Sequence, residues 1–99
     1  MRLQVLDAAR DDLIAGFDFY EAREQGIGDH FLACLYSDVE SLQIFAGIHR
    51  RVYKHLQRSL SKRFPFAIYY TVENDCVIVR AILDCRRSPS WIRSRLKNA

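Results

Sequence analysis

His49 and His55, in the run "HRRVYKH", are the side chains of this sequence best suited to exchanging protons near neutral pH. Around and after them stand Arg58, Lys62 and Arg63, and further on the pair Arg86-Arg87. An acid, a base and a group of cations are what cleavage of an RNA phosphodiester requires. One group takes the 2′-hydroxyl proton, a second protonates the leaving oxygen, and the cations balance the phosphorane charge. Nothing in the spacing makes the histidines converge. His49 falls in a loop, His55 near the start of an edge strand and His30 on a helix, so the residues predict no catalytic set.

The other chemistry-bearing residues are Cys34, Cys76 and Cys85, odd in number and without a CxxC pair. No histidine stands at ligand spacing from them, so neither a metal site nor a cofactor is expected. They read as reduced thiols of a cytoplasmic protein. The acidic turn in "MRLQVLDAARDD" argues against a signal peptide, and no apolar run approaches the roughly 20 residues of a membrane span.

Charge is distributed unevenly. Residues 1–48 hold three Arg and no Lys against nine acids, a net −6; residues 49–99 hold twelve Lys and Arg against three acids, a net +9. The basic half therefore offers a surface to something anionic, unless the two halves simply neutralise each other. With 99 residues, 49% of them hydrophobic, the chain suffices for one core and one domain spanning 1–99.

The elements that must position these side chains are legible from periodicity. "RLQVL" alternates as a short strand. From Asp7, a natural N-cap, Ala9, Leu13, Ile14, Phe17 and Tyr20 recur at helical spacing to about Arg23. Gly26 breaks this helix. Ile27, Phe31, Leu32, Leu35, Val39 and Leu42 then line a second one that ends near Ile44 to Gly47, and the short connection makes the two an antiparallel hairpin. The acidic residues fall on its outer, solvated face. "LQRSLS" reads as an edge strand. Pro65 opens the next, in which Phe66, Ile68, Tyr70 and Val72 oppose Ala67, Tyr69 and Thr71. In the last strand Val77, Val79, Ala81 and Leu83 form one face and Ile78, Arg80, Ile82 and Asp84 the other. Ser88 caps, and Pro89 opens, a short final helix.

The expected class is α+β: an N-terminal strand, a helical hairpin, a three-strand antiparallel meander and a C-terminal helix, with the hairpin on one face of an antiparallel sheet. The second face, with Gln4, Ala67, Tyr69, Thr71, Ile78, Arg80 and Ile82, is too apolar for water and too polar for a core. It binds another protein, or the last helix covers it through Trp91, Ile92 and Leu96, or each holds at one end of the sheet.

The segments "AARDDLIAGFDFYEAREQGIGDHFL", "FAGIHRRVYK", "KRFPFAIYYTVENDCVIV" and "CRRSPSWI" resemble, in the same order, the RelE/ParE toxin superfamily, and within it the ParE-like, plasmid-stabilisation branch. The pairing of "KRFPFAIYY" with a later "RRSP" is the most specific part. The resemblance implies a small bacterial, growth-inhibiting toxin that a cognate antitoxin wraps and neutralises. Ribonuclease members, which cut messenger RNA on the ribosome, typically carry arginine at the position of Ala67 and a tyrosine near Ile92. Both are missing here, although Arg86 matches a basic position of that group. The resemblance therefore implies a non-catalytic poison, of the kind that blocks DNA gyrase. Ser59 and Ser61, where relatives often carry basic or bulky residues, leave open a member that only binds antitoxin.

The basic cluster then has three readings: it meets the antitoxin, the target or a nucleic acid. Nucleic-acid modules interleave exposed aromatics with their cations, and here only Tyr53, Tyr69 and Trp91 qualify, so an acidic protein partner fits better. The expected partner-binding set is Arg58, Lys62, Tyr69, Arg80, Arg86, Arg87 and Trp91. The chain alone would be a monomer or homodimer, and a hetero-oligomer with its antitoxin.

Overall fold

The computed structural model describes residues 1–46 and 48–99. Strand β1 (Arg2–Val5) leads into two helices, α1 (Asp7–Glu21) and α2 (Ile27–Phe45). Strands β2 (Arg51–Tyr53), β3 (Leu56–Leu60), β4 (Phe66–Glu73) and β5 (Cys76–Asp84) follow, and α3 (Pro89–Lys97) comes last. Among the described residues the strands make one sheet in the order β1-β5-β4-β3-β2. The α+β class and element order match expectation, with β2 added as a strand too short to leave a periodic signal. Of the expected end of α2, near Ile44 to Gly47, only Gly47 lies outside the described residues.

β5, β4, β3 and β2 run antiparallel, but β1 lies parallel to β5. Alternation in "RLQVL" fixes which face the strand buries, not its direction, so the sheet is mixed rather than wholly antiparallel. Leu3 and Val5 stand opposite Val77 and Val79 and join the same core. The Leu6 N–H continues the ladder to the Val79 carbonyl at 3.0 Å, and α1 begins immediately afterwards. Leu6 is consequently the N-cap residue, and Asp7 sits inside the first turn, 3.5 Å from Arg10, instead of capping.

α1 and α2 pack through two notches. The Phe31 ring lies where a side chain on Gly16 would be, 2.5 Å from an ideal Cβ, and Phe17 fills the same space over Gly28. Gly26 adopts φ 94°, the left-handed conformation that lets its N–H and that of Gly28 both reach the Glu21 carboxylate. Ala9, Leu13, Phe31, Leu35, Val39 and Leu42 meet Phe66, Ile68, Tyr70, Val77, Val79 and Ile82 in the main core. Ile14 is on the opposite flank of α1 and 53% exposed, so it does not belong to the core face. The outer face of the hairpin is not wholly solvated either. Asp38 is buried and accepts hydrogen bonds from the Ser61 hydroxyl (2.7 Å) and the Lys62 N–H (3.3 Å), tying the β3–β4 connection to α2.

The largest departure from simple alternation is in β5. Tyr69 pairs with Ala81 and Tyr70 with Val79, so Arg80 is an extra residue, a β-bulge. Beyond it the strand's alternation is inverted. Ile82 enters the main core with Val77 and Val79, while Ala81 and Leu83 turn to the second face, where Leu56, Ala67, Tyr69 and Leu96 enclose them. The tight β4–β5 turn uses positive φ at Asn74 and Asp75 (51° and 60°), the geometry of a type I′ hairpin.

Two substitutions check this packing. Gly16→Ala gains about 0.5–1 kcal/mol of helix propensity but forces a methyl into the Phe31 ring, which is buried and cannot yield; overpacking costs about 1–3 kcal/mol. Net destabilisation, read as a lower urea midpoint, is expected, and Phe31→Leu in the same chain should restore part of it. Tyr70→Ala should cost about 3–5 kcal/mol, because the ring is fully buried.

Candidate partner-binding surface

α3 lies across the second face of the sheet. Ser88 caps it, accepting the Trp91 N–H at 3.2 Å, and Pro89 opens it as expected. Leu96 is buried against Leu56, Ala67, Tyr69, Ala81 and Leu83, with Trp91 and Ile92 at the margin. Of the two readings of this face, coverage by the chain's own helix therefore holds over its centre.

The helix is fastened by one carboxylate. β1 stops short of the far half of β5, which leaves the edge N–H of Ile82 without a strand partner. Asp12 of α1 accepts it at 3.0 Å. The same carboxylate grips Arg95 of α3 in a two-pronged ion pair, at 2.8 and 2.9 Å. Asp12 thus joins α1, β5 and α3 around the sheet edge.

The seven expected binding residues are not brought together. Arg58 and Tyr69 are direct cross-strand partners, and the Arg58 guanidinium lies against the Tyr69 hydroxyl. Burial pushes the Tyr69 hydroxyl above its ordinary pKa, with Arg58 opposing the shift. Burial likewise raises the nearby Cys85 thiol, against the same arginine. Arg87 and Trp91 form a second group, the guanidinium 3.9 Å from the ring centroid, with Arg95 at 5.6 Å.

Arg86 turns away from that stack. It binds Asp84 at 2.7 and 3.0 Å and reaches the Tyr20 hydroxyl at 3.3 Å. Lys62 stands over α2, held by its main chain. Arg80, at the bulge, points to the other end of the sheet and binds Thr71 (2.9 Å) and Glu73 (2.8 Å). That ion pair holds the Glu73 carboxyl below the usual range.

Residues that the spacing did not connect are gathered instead. His49, Arg51, Lys54, His55, Arg80 and Lys97 line one cavity of about 750 Å³ at the foot of α3. His49 binds the buried Tyr70 hydroxyl through Nδ1 at 2.6 Å, and the Gln57 amide donates to the His49 carbonyl at 2.7 Å. The two histidines that sequence separation keeps apart thus share a compartment, because the β2–β3 hairpin folds back on itself. The basic run "HRRVYKH" was the available signal. His30 is elsewhere, beside Phe64 and Cys34. A second hollow of about 580 Å³ shares His49 and Arg51 with the first and adds Arg50, Val52, Arg58 and Leu60. Val52 and Leu60 are exposed there, and Ile44, Phe45 and Ile48 are exposed nearby in sequence.

The sequence matches no protein-family model and no curated protein. Among solved structures it is similar to a chain of the chromosomal ParDE toxin–antitoxin system from P. aeruginosa, with a TM-score of 0.77 over 83% of this chain and 92% of that one. The two share a fold. Their sequences are 20% identical, so the likeness is one of architecture, in keeping with the element order of the RelE/ParE resemblance.

The Asp84–Arg86 pair gives a pH prediction. Hydrogen bonding from Arg86 outweighs partial burial and holds the Asp84 carboxyl below the ordinary carboxylate range. A depressed folded pKa adds stability that is present above the unfolded value of about 3.9 and is lost as pH falls through the lower folded value. Arg86→Ala should raise the Asp84 pKa toward or above that ordinary value, as followed by carboxyl-carbon NMR. An unchanged titration would mean that the ion pair does not form in solution.

Proposed function

We propose that this protein is the toxin half of a type II toxin–antitoxin pair, which binds and blocks an essential cellular target such as DNA gyrase and is neutralised by a cognate antitoxin. The observation that supports this most is the fold likeness, over 83% of this chain and 92% of the other, to a chain of a ParDE system. The chain-wide sequence resemblance to the ParE-like branch agrees with it.

The partner surface in this reading is basic. Arg58, Arg87 and Trp91 flank the edges of α3, and neither arginine has an acidic partner among the described residues. An acidic segment of an antitoxin or target would meet these heads without first breaking an ion pair. Arg80 and Arg86 lie away from this surface, paired with Glu73 and Asp84. Charge of this kind speeds encounter more than it sets final affinity.

Expression without the antitoxin should arrest bacterial growth; vigorous growth with abundant folded protein would overturn the reading. Arg58→Glu with Arg87→Glu should slow antitoxin association or reduce toxicity, with little effect on the unfolding midpoint.

One observation favours a second reading, a ribosome-dependent messenger ribonuclease. His49 and His55 share a cavity with four cationic side chains, the acid, base and cation inventory of RNA cleavage. Induction of a gyrase poison leaves messages whole and triggers DNA-damage signalling, whereas a ribonuclease truncates the messages. Loss of transcript integrity that His49→Ala and His55→Ala abolish would favour the second reading.

A further inference from the structure

We propose that the cavity at the foot of α3 binds a nucleoside polyphosphate. The lining does not include Arg58, Arg87 or Trp91, on which the poison reading rests, but it is the compartment that the ribonuclease reading would use for RNA, so a free nucleotide and an RNA strand are alternatives there. Its volume, about 750 Å³, lies within the range of small-ligand sites, roughly 300–1,000 Å³.

The charges define the ligand's sign. Arg51 from β2, Lys54 from the β2–β3 turn and Lys97 from the last turn of α3 converge on the cavity from three separate elements. None of the three has an ion pair among the described residues. The one acidic side chain of the lining, Glu73, is already engaged by Arg80 at 2.8 Å, with Thr71 donating to the same oxygen at 2.9 Å. With Glu73 engaged by Arg80, the side-chain charge left unpaired on the lining is positive, which favours an anionic ligand, and a polyanion over a singly charged one.

The remainder of the lining defines the rest of the molecule. Leu56 and Leu96, both buried in the second core, supply a fixed apolar floor. A bare phosphate would leave it unused, whereas a planar base would cover it. Polar groups for the edge of a base are at hand. His49 uses Nδ1 on Tyr70 and keeps Nε2, Gln57 uses its amide nitrogen on the His49 carbonyl and keeps its oxygen, and His55 is exposed. A nucleic-acid strand fits less well, because the lining holds no Phe, Tyr or Trp on which successive bases would stack.

The test is titration calorimetry of the whole chain with ADP, adenosine, inorganic pyrophosphate and a single-stranded RNA oligonucleotide. ADP should bind with a Kd below about 1 mM and more tightly than adenosine or pyrophosphate, since each of those satisfies half of the site. Arg51→Glu and Lys97→Glu are substitutions at exposed positions, and each should weaken ADP by at least about tenfold. Arg87→Glu, on the Trp91 stack away from the cavity, should leave the affinity unchanged. Four outcomes would overturn the proposal: absence of ADP binding at millimolar concentration, pyrophosphate binding as tightly as ADP, equal weakening by Arg87→Glu, or binding of the oligonucleotide alone.

Discussion

One extra residue in β5 governs the architecture. Without the bulge at Arg80, strict alternation would leave Val77, Val79, Ala81 and Leu83 on a single face and set Ile82 against them. With it, the apolar residues are shared out. Three fill the core beneath the helical hairpin and two help to found a second core on the opposite face. The bulge is stabilised at its own position, because the Arg80 side chain turns back onto Thr71 and Glu73 of the neighbouring strand. A sheet with an apolar patch on each face must cover both, and α3 is the element that covers the second.

Coverage by a nine-residue helix is a marginal arrangement on its own, since isolated helices of that length are unstable in water. Asp12 compensates. It takes the N–H that β1 is too short to pair and, with the same carboxylate, the Arg95 guanidinium. The group is mostly buried, so the ion pair is only weak grounds for net stability, but it fixes where the helix lies. The position of α3 then sets the shape of what remains open: the Arg87–Trp91 stack at its start and the cationic cavity at its end.

The positive half of the chain is consequently divided. Some cations are structural, as with Arg80, Arg86 and Arg95, each closed onto a carboxylate. Others, including Arg51, Arg58, Lys54, Arg87 and Lys97, have no such partner among the described residues and give the surface its sign. The clustering in sequence that suggests one basic patch thus resolves into several sites of different character around a shared sheet.

What the sequence determined by itself was everything carried by local period and local chemistry. The two helices follow from spacing of three and four, the β4–β5 hairpin from alternation about Asn74-Asp75, and the start of α3 from Ser88-Pro89. Tyr70 as a core residue and the chain-wide resemblance were legible in the same way. Tertiary structure alone decided the parallel seat of β1, the bulge, the inward turn of Asp12 and Asp38, and the meeting of His49 with His55. Each of those depends on a partner far along the chain, on Ile82, Ser61 or Tyr70, and a one-residue shift in strand register leaves no mark in composition. Periodicity reports which side of its own element a residue occupies; only the packed neighbour determines what that side meets.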